Sequence, residues 1–183
     1  MFARTPRLLL RPGFPEDAPA LAAAIADEAI ARNLLSVPWP YRMRDAEAFL
    51  ASPRDPILPS FLIFERTPAA PQLIGSCGLG RRPSGAVEMG YWIVRPFWSR
   101  GFATEACSAL IEIAGALGLA QLEGSHFLDN AASARVLEKL GFEPVGIVAP
   151  RMSCARGGEV PARLMRLRLR AEVLAEDSEQ LAA

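Results

Sequence analysis

The chain has 183 residues and carries 20 basic and 20 acidic side chains, for a net charge of zero. One domain is the sensible reading of that length, with enough apolar residues to bury a real core. The charge balance excludes nucleic-acid or membrane binding driven by bulk electrostatics, and neither is expected as a partner.

Arg7 to Arg11 reads as a short first strand, closed by Pro12. Asp17 precedes an Ala/Leu/Ile segment, Ala18 to Ala31, with apolar residues at helical spacing, and is a candidate N-cap. Asn33 to Arg44 holds Pro38, Trp39, Pro40 and Tyr41. Two prolines bracketing an aromatic cannot continue a helix, so a loop or a broken helix is expected there. Asp45 to Ala51 reads as a short helix, Ser60 to Glu65 as a strand, and Thr67 to Pro71 as a turn into the strand Gln72 to Gly80. Arg81 to Gly85 turns the chain into Ala86 to Val94.

The Ala-rich segment from Gly101 to Leu117 is a helix whose apolar stripe is Ala103, Ala106, Leu110, Ile113, Ala114 and Leu117, with Gly118 as its stop. Gln121 to Leu128 comes next as a strand. It must run parallel to Ala86–Val94, because a helix joins the two. Ala131 to Leu140 is the last helix, ended by Gly141. Phe142 to Val148 and Val160 to Arg170 form a closing hairpin. One domain is expected over residues 1–170, with a loose acidic tail over 171–183.

Cys77, Cys107 and Cys154 match neither a disulfide framework nor metal-ligand spacing, so no metal is expected. They read as two buried small hydrophobes and one loop thiol, Cys154 being the exposed one. Leu8 to Leu10 is too short for a signal-peptide core and no apolar run reaches the length of a membrane span, which points to the cytoplasm. Lys139 is the only lysine among the 20 basic residues. Heavy use of Arg, Ala, Gly and Pro together points to genome composition before function.

The chemistry centres on Val87 to Thr104, VEMGYWIVRPFWSRGFAT. A strand stops at Pro96, turns through Trp98-Ser99-Arg100-Gly101 and enters a helix. Such a turn aims several backbone N–H groups one way and suits a phosphate. Gly101 lets a ligand approach the backbone closely. The turn lacks the Gly-Lys-Ser/Thr of a nucleotide-triphosphate P-loop. A second stretch, Asn130 to Phe142, reads NAASARVLEKLGF. Together with RLLLRP, EMGYWI and RGFATEA in that order, it resembles the GNAT superfamily of acyl-CoA-dependent N-acyltransferases. More narrowly, it is similar to the RimJ/RimL type that acetylates ribosomal-protein N-termini.

The resemblance implies a mixed α/β fold. Its sheet would be mostly antiparallel, with six to seven strands, a splayed parallel central pair and about four flanking helices. It implies acetyl-CoA as cosubstrate, with the pantetheine arm on Ile93, Val94 and Arg95. The pyrophosphate would fall on Arg100, Gly101, Phe102, Ala103 and Thr104. Many members carry Gln or Arg where this chain has Trp98, so phosphate contacts there would be purely backbone. Asn130 is a natural helix N-cap, and the resemblance adds a pantetheine contact. Many members place a Tyr at the position held here by Leu137. With that acid missing, Ser133 or a water is left to assist the CoA thiolate.

Glu88 is the only acid in the central strand. It is the candidate base for the amine, directly or through water; otherwise it points to solvent or pairs with Arg81 or Arg82. His126 is a second candidate base, or a satisfied rim residue. Trp39 and Tyr41 are candidate walls of the acceptor site, with a core role favoured for Trp39. The leading expectation is acetyl transfer to a protein or peptide α-amino group. The alternatives are a small amine, amino acid or antibiotic as acceptor, and a non-catalytic acyl-CoA-binding module. Apolar residues near Trp92 or the C-terminal hairpin offer a surface for a homodimer.

Overall fold

The computed structural model describes residues 1–169; the domain boundary expected at residue 170 and the acidic tail lie outside the described residues. The strands are β1 (Ala3–Arg4), β2 (Leu8–Arg11), β3 (Ser60–Glu65), β4 (Gln72–Arg81), β5 (Val87–Ile93), β6 (Gln121–Phe127), β7 (Glu143–Ser153) and β8 (Gly158–Arg168). The helices are α1 (Ala18–Ile25), α2 (Glu28–Ala31), α3 (Met43–Ala51), α4 (Phe102–Ala116) and α5 (Ala131–Lys139).

All eight strands form one sheet in the order β1-β2-β3-β4-β5-β6-β8-β7. Every neighbouring pair is antiparallel except β5 and β6, which are parallel. The expected mixed sheet is therefore present, with one strand and one helix more than the sequence suggested. The extra strand is β1, two residues long and paired with Leu9 and Leu10. The extra helix arises because Ala18–Ala31 is not continuous. Ala26 takes ψ 53°, and the Asp27 carboxylate then caps a new turn by accepting from Ala29 N–H at 2.8 Å.

Asp17 does not cap α1. Its carboxylate instead accepts from Phe14 N–H at 2.7 Å and forms a bidentate pair with Arg11, both contacts at 2.7 Å. The closing hairpin is longer than expected, and its turn lies at Cys154–Arg156. Strand β8 inserts between β6 and β7, pairing β6 along all seven residues.

Both faces of the sheet are covered, which explains why β3 reads SFLIFE without alternation. Phe61 and Ile63 join Leu8, Leu10, Ile74, Phe102, Ala106, Leu110 and Leu137 under α4 and α5. Leu62, Phe64 and Leu73 join Ala18, Leu21, Ala46 and Leu50 under α1 and α3. Gly118 (φ 74°) ends α4, and Leu119 N–H bonds back to Ala114. Gly141 (φ 85°) does the same for α5 through Phe142 N–H and Leu137. Cys77 and Cys107 are buried and Cys154 is exposed, as expected.

Helix α4 is fastened to the N-terminal strands by Glu105. Its carboxylate accepts from Thr5 Oγ1 at 2.5 Å, Arg7 N–H at 2.9 Å and Arg7 Nε at 2.6 Å. Burial alone would raise the Glu105 carboxyl, but these donors outweigh it and hold it below the ordinary value. A depressed folded-state pKa stabilises the fold above the unfolded carboxyl pKa, and the contribution fades as pH falls through the folded value. Glu105→Gln should therefore cost about 1–3 kcal/mol at pH 7, and the gap to wild type should close in strongly acidic buffer. Urea unfolding at three pH values checks this; a gap independent of pH would refute the ion-pair account.

Candidate active site

Strand β5 leaves the sheet at Val94, and Arg95–Phe97 forms one 3-10 turn with Pro96 in its first positions. The chain then passes Ser99 (φ 60°) and Gly101 (φ 80°) before α4 begins. A left-handed non-glycine residue is costly, and such strain collects at functional sites. Arg7 steadies the turn by donating to the Arg100 carbonyl at 3.0 Å. The first bond of α4 runs from Glu105 N–H to Gly101 at 3.0 Å, so Phe102, Ala103 and Thr104 present helix-start N–H groups without intrahelical partners. A Cβ on Gly101 would meet only the tip of Arg7 at 3.5 Å, so the glycine is required by its φ and not by crowding.

One cavity of about 850 Å³ reaches from this turn across the sheet. Gly101, Phe102, Ala103, Thr104, Ile93, Asn130 and Ser133 line it, together with Glu88 and His126. Val94, Arg95 and Arg100 do not. Arg100 turns its guanidinium to Glu65 at 3.2 Å and lies over the Phe97 and Phe102 rings.

The carbonyls of Ile93, Val94 and Arg95 already accept from Trp98 Nε1 (2.6 Å), Phe97 N–H (3.0 Å) and Trp98 N–H (3.1 Å). Only their second lone pairs remain for a pantetheine arm. Trp98, absent from the expected contacts, thus ties off the strand end and lines the cavity itself.

The cavity exists because β5 and β6 pair at a single step, Glu88 opposite Glu123. Beyond it the two backbones diverge. Successive strand residues face opposite ways, so the gap has two distinct sides. On the α4–α5 side, Tyr91 reaches Ser133, hydroxyl to hydroxyl at 2.9 Å. Burial pushes the Tyr91 phenol well up, with the Ser133 hydrogen bond pulling the other way. Asn130 caps α5 by accepting from Ser133 N–H at 3.1 Å, so its N-cap role is realised at the cavity wall. His126 lies on this same side. Its Nδ1 is 2.9 Å from the Phe127 carbonyl, which can only accept, so Nδ1 is the donor in that contact.

On the opposite side, Glu88 is half-buried and held by several partners. Arg151 grips it with Nη1 to Oε1 at 3.2 Å and Nη2 to Oε2 at 3.1 Å, and Ser125 Oγ donates to Oε1 at 2.8 Å. Arg82 adds a contact at 3.7 Å and also reaches Glu123 at 3.6 Å. Arg81 pairs with Asp55 instead. Glu88 is the only acidic side chain lining the cavity among the described residues.

On the side of α2 and α3 the cavity is walled by Asn33 to Val37 with Phe49. Trp39 and Tyr41 lie outside the cavity lining. Trp39 is 38% exposed, so it is no core plug. Tyr41 packs against the α1–α3 core, where burial raises its phenol to about 12. The wall is braced from across the molecule. Cys154 N–H bonds to Leu35, Ser153 Oγ to Leu34, and Arg156 to both Arg32 O and the Asp129 carboxylate.

Sequence reasoning missed Tyr91, Ser125 and Arg151. Tyr91 was legible as the strand partner, two residues along, of the buried Met89 and Ile93. Arg151 comes from a distant strand and left no local signal.

A parted parallel pair beside an anion-binding helix start defines a site for a phosphate-bearing cosubstrate with an extended arm. Residues 7–143 match the family described as an acetyltransferase (GNAT) domain, and the chain belongs to that family. It is accordingly an N-acetyltransferase that uses acetyl-CoA. A Bacillus subtilis (strain 168) protein, the uncharacterized N-acetyltransferase YoaA, is 32% identical over 157 residues, spanning 81% of this chain and 86% of the relative.

Solved structures share the fold, two of them as follows. A GNAT-family acetyltransferase from Bacillus anthracis has a TM-score of 0.77 at 18% identity, covering 92% of this chain and 98% of its own. RimL, a ribosomal L7/L12 α-N-protein acetyltransferase solved with coenzyme A, has 0.76 at 17%, covering 94% and 100%. At these identities both likenesses show the shared fold.

Gly101→Glu should weaken acetyl-CoA binding by roughly a hundredfold, because it strains the turn and sets a like charge against the phosphates. Gly101→Ala, with the strain alone, should lose far less. Calorimetric titration of acetyl-CoA into both variants checks this. Equal losses would show that the turn's shape, not its electrostatics, governs binding.

Proposed function

We propose that this acetyltransferase modifies the α-amino group of a protein or peptide. The observation that carries the reading is the acid count of the cavity. Glu88 stands alone there, and two arginines already balance it. A polyamine or aminoglycoside carries several cations and calls for several carboxylates. A chain terminus offers one amine and then neutral backbone, and the apolar wall of Leu34, Leu35, Val37 and Phe49 suits the first side chains of such a peptide. The likeness to RimL supports the same reading by analogy.

The residues divide the work by side. Phe102, Ala103 and Thr104 hold the pyrophosphate with backbone N–H groups. The acetyl group on its sulfur sits in the gap between β5 and β6. Glu88 accepts a hydrogen bond from the incoming amine, or from a water beside it, through lone pairs that Arg151 and Ser125 leave open, and so draws off the proton. His126 is on the far side of the sheet from Glu88 and is the second choice as base. Ser133 is the hydroxyl placed to assist the departing sulfur. The CoA thiol ionises near its ordinary pKa of about 8.5, so assistance is helpful without being essential.

Free-thiol release from acetyl-CoA should be stimulated by short peptides with a free N-terminus. It should not be stimulated by spermidine or by N-terminally blocked peptides containing lysine. Glu88→Gln should lower kcat/KM about a hundredfold at pH 7. The deficit should narrow above the α-amino pKa of about 8, where the free amine needs no base. Wild-type turnover in the variant across pH would remove Glu88 as base. Turnover with polyamines alone would move the acceptor to the small-molecule class.

A further inference from the structure

We propose that Tyr91 is a positioning residue for the leaving thiol: its phenol donates to Ser133 Oγ and thereby turns the serine's own hydrogen toward the sulfur. The inference rests on the reading of Ser133 as the hydroxyl that assists the sulfur and extends it by one residue. The geometry is direct. The two hydroxyl oxygens are 2.9 Å apart, and both residues line the cavity where β5 and β6 part. Among the described residues, the phenol's one other partner is the Ser133 carbonyl, at the longer distance of 3.4 Å.

Of two hydroxyls in contact, the phenol is the more acidic and the better donor, while an aliphatic hydroxyl both donates and accepts. Once Oγ accepts from Tyr91, the serine rotor is free to aim its hydrogen at the open side, which is the cavity. A chain of two hydroxyls also polarises, so the outer one becomes a stronger donor than serine alone.

Neither partner can drift. The Tyr91 ring packs on the core under α4, and Ser133 is held by its N–H bond to Asn130 at 3.1 Å. Leu137, where the sequence lacks the expected tyrosine, is itself buried in that core. The phenol therefore arrives from β5 and not from α5.

In the reaction the amine nitrogen bonds to the acetyl carbon, and the carbon–sulfur bond breaks with its electron pair going to sulfur. Ser133 donates a hydrogen bond to that charge. Both hydroxyls keep their protons, and the sulfur takes a proton from water once coenzyme A departs.

The test needs no acceptor. The thiol of bound coenzyme A is titrated by its ultraviolet thiolate absorbance, against the acetyl-CoA complex as a blank without an ionisable thiol. In wild type it should ionise below the free value of about 8.5. Tyr91→Phe and Ser133→Ala should each raise it by about one unit, and the double variant should add little to either, because the two act as one chain. At pH 6, where the thiol is protonated, Tyr91→Phe should bind coenzyme A within about threefold of wild type, which separates the effect from general damage.

A Tyr91→Phe thiol that ionises where the wild-type thiol does overturns the proposal. Failure of wild type to bind coenzyme A at all would instead sink the cosubstrate reading on which it rests. If Tyr91→Phe does not fold, fluorotyrosine labelling of the natural sequence carries the test, since the chain has only two tyrosines. The Tyr91 fluorine signal should move when coenzyme A binds, and Ser133→Ala should suppress the movement. A signal indifferent to both overturns the proposal.

Discussion

The structure depends on one interruption in its hydrogen bonding. Strands β5 and β6 meet at Glu88 and Glu123 and then part, while each remains fully paired with its other neighbour, β4 or β8. Backbone groups along the parting edges are therefore left without strand partners inside an otherwise continuous sheet. Those groups face the cavity and are open to a ligand's hydrogen bonds. An extended polar chain is the natural occupant, because it completes the ladder that the strands abandon. The cavity, the helix start at its mouth and the chemistry in its middle all depend on where the pairing stops.

The gap also sorts the side chains. Because strand residues alternate, Glu88 and Ser125 project to one side while Tyr91 and His126 project to the other. In the proposed mechanism the base and the hydroxyl at the sulfur should not neutralise each other, and the sheet itself keeps them apart. The arginines on the Glu88 side have a second effect. Arg82 stands between Glu88 and Glu123, and Arg166 supports Glu123 at 3.4 Å, so two carboxylates can sit on adjacent strands at the narrow end of the gap without repulsion.

Local chemistry was the most legible part of the sequence. The turn at Arg100-Gly101, the N-cap at Asn130, the glycine stops at Gly118 and Gly141, and the parallel relation of β5 to β6 all come from short-range rules. Pairings across the chain were not legible. Asp17 is a sound N-cap residue by type, but Arg11 six residues earlier claimed its carboxylate. Trp39 has the composition of a core residue and the position of a surface one. Glu88 was legible as an acid in the central strand. That Arg151 on β7 grips it depends on β8 inserting between β6 and β7, which no local pattern records. Tyr91 shows the same limit from the other direction. It lies 42 residues before Ser133, and only the folded distance of 2.9 Å shows that the two hydroxyls meet.

The bracing of the cavity wall at Asn33 to Val37 bears on the entropy of recognition. Residues 32–35 carry no regular structure, yet they are tied to Ser153, Cys154 and Arg156 at the far hairpin, and Arg156 in turn holds Asp129 beside the α5 cap. A loop that must be ordered by its ligand spends part of the binding energy on that ordering, whereas one already fastened does not. This wall is set before the acceptor arrives. Under the proposed function, selectivity among acceptors becomes a matter of fit to a standing surface.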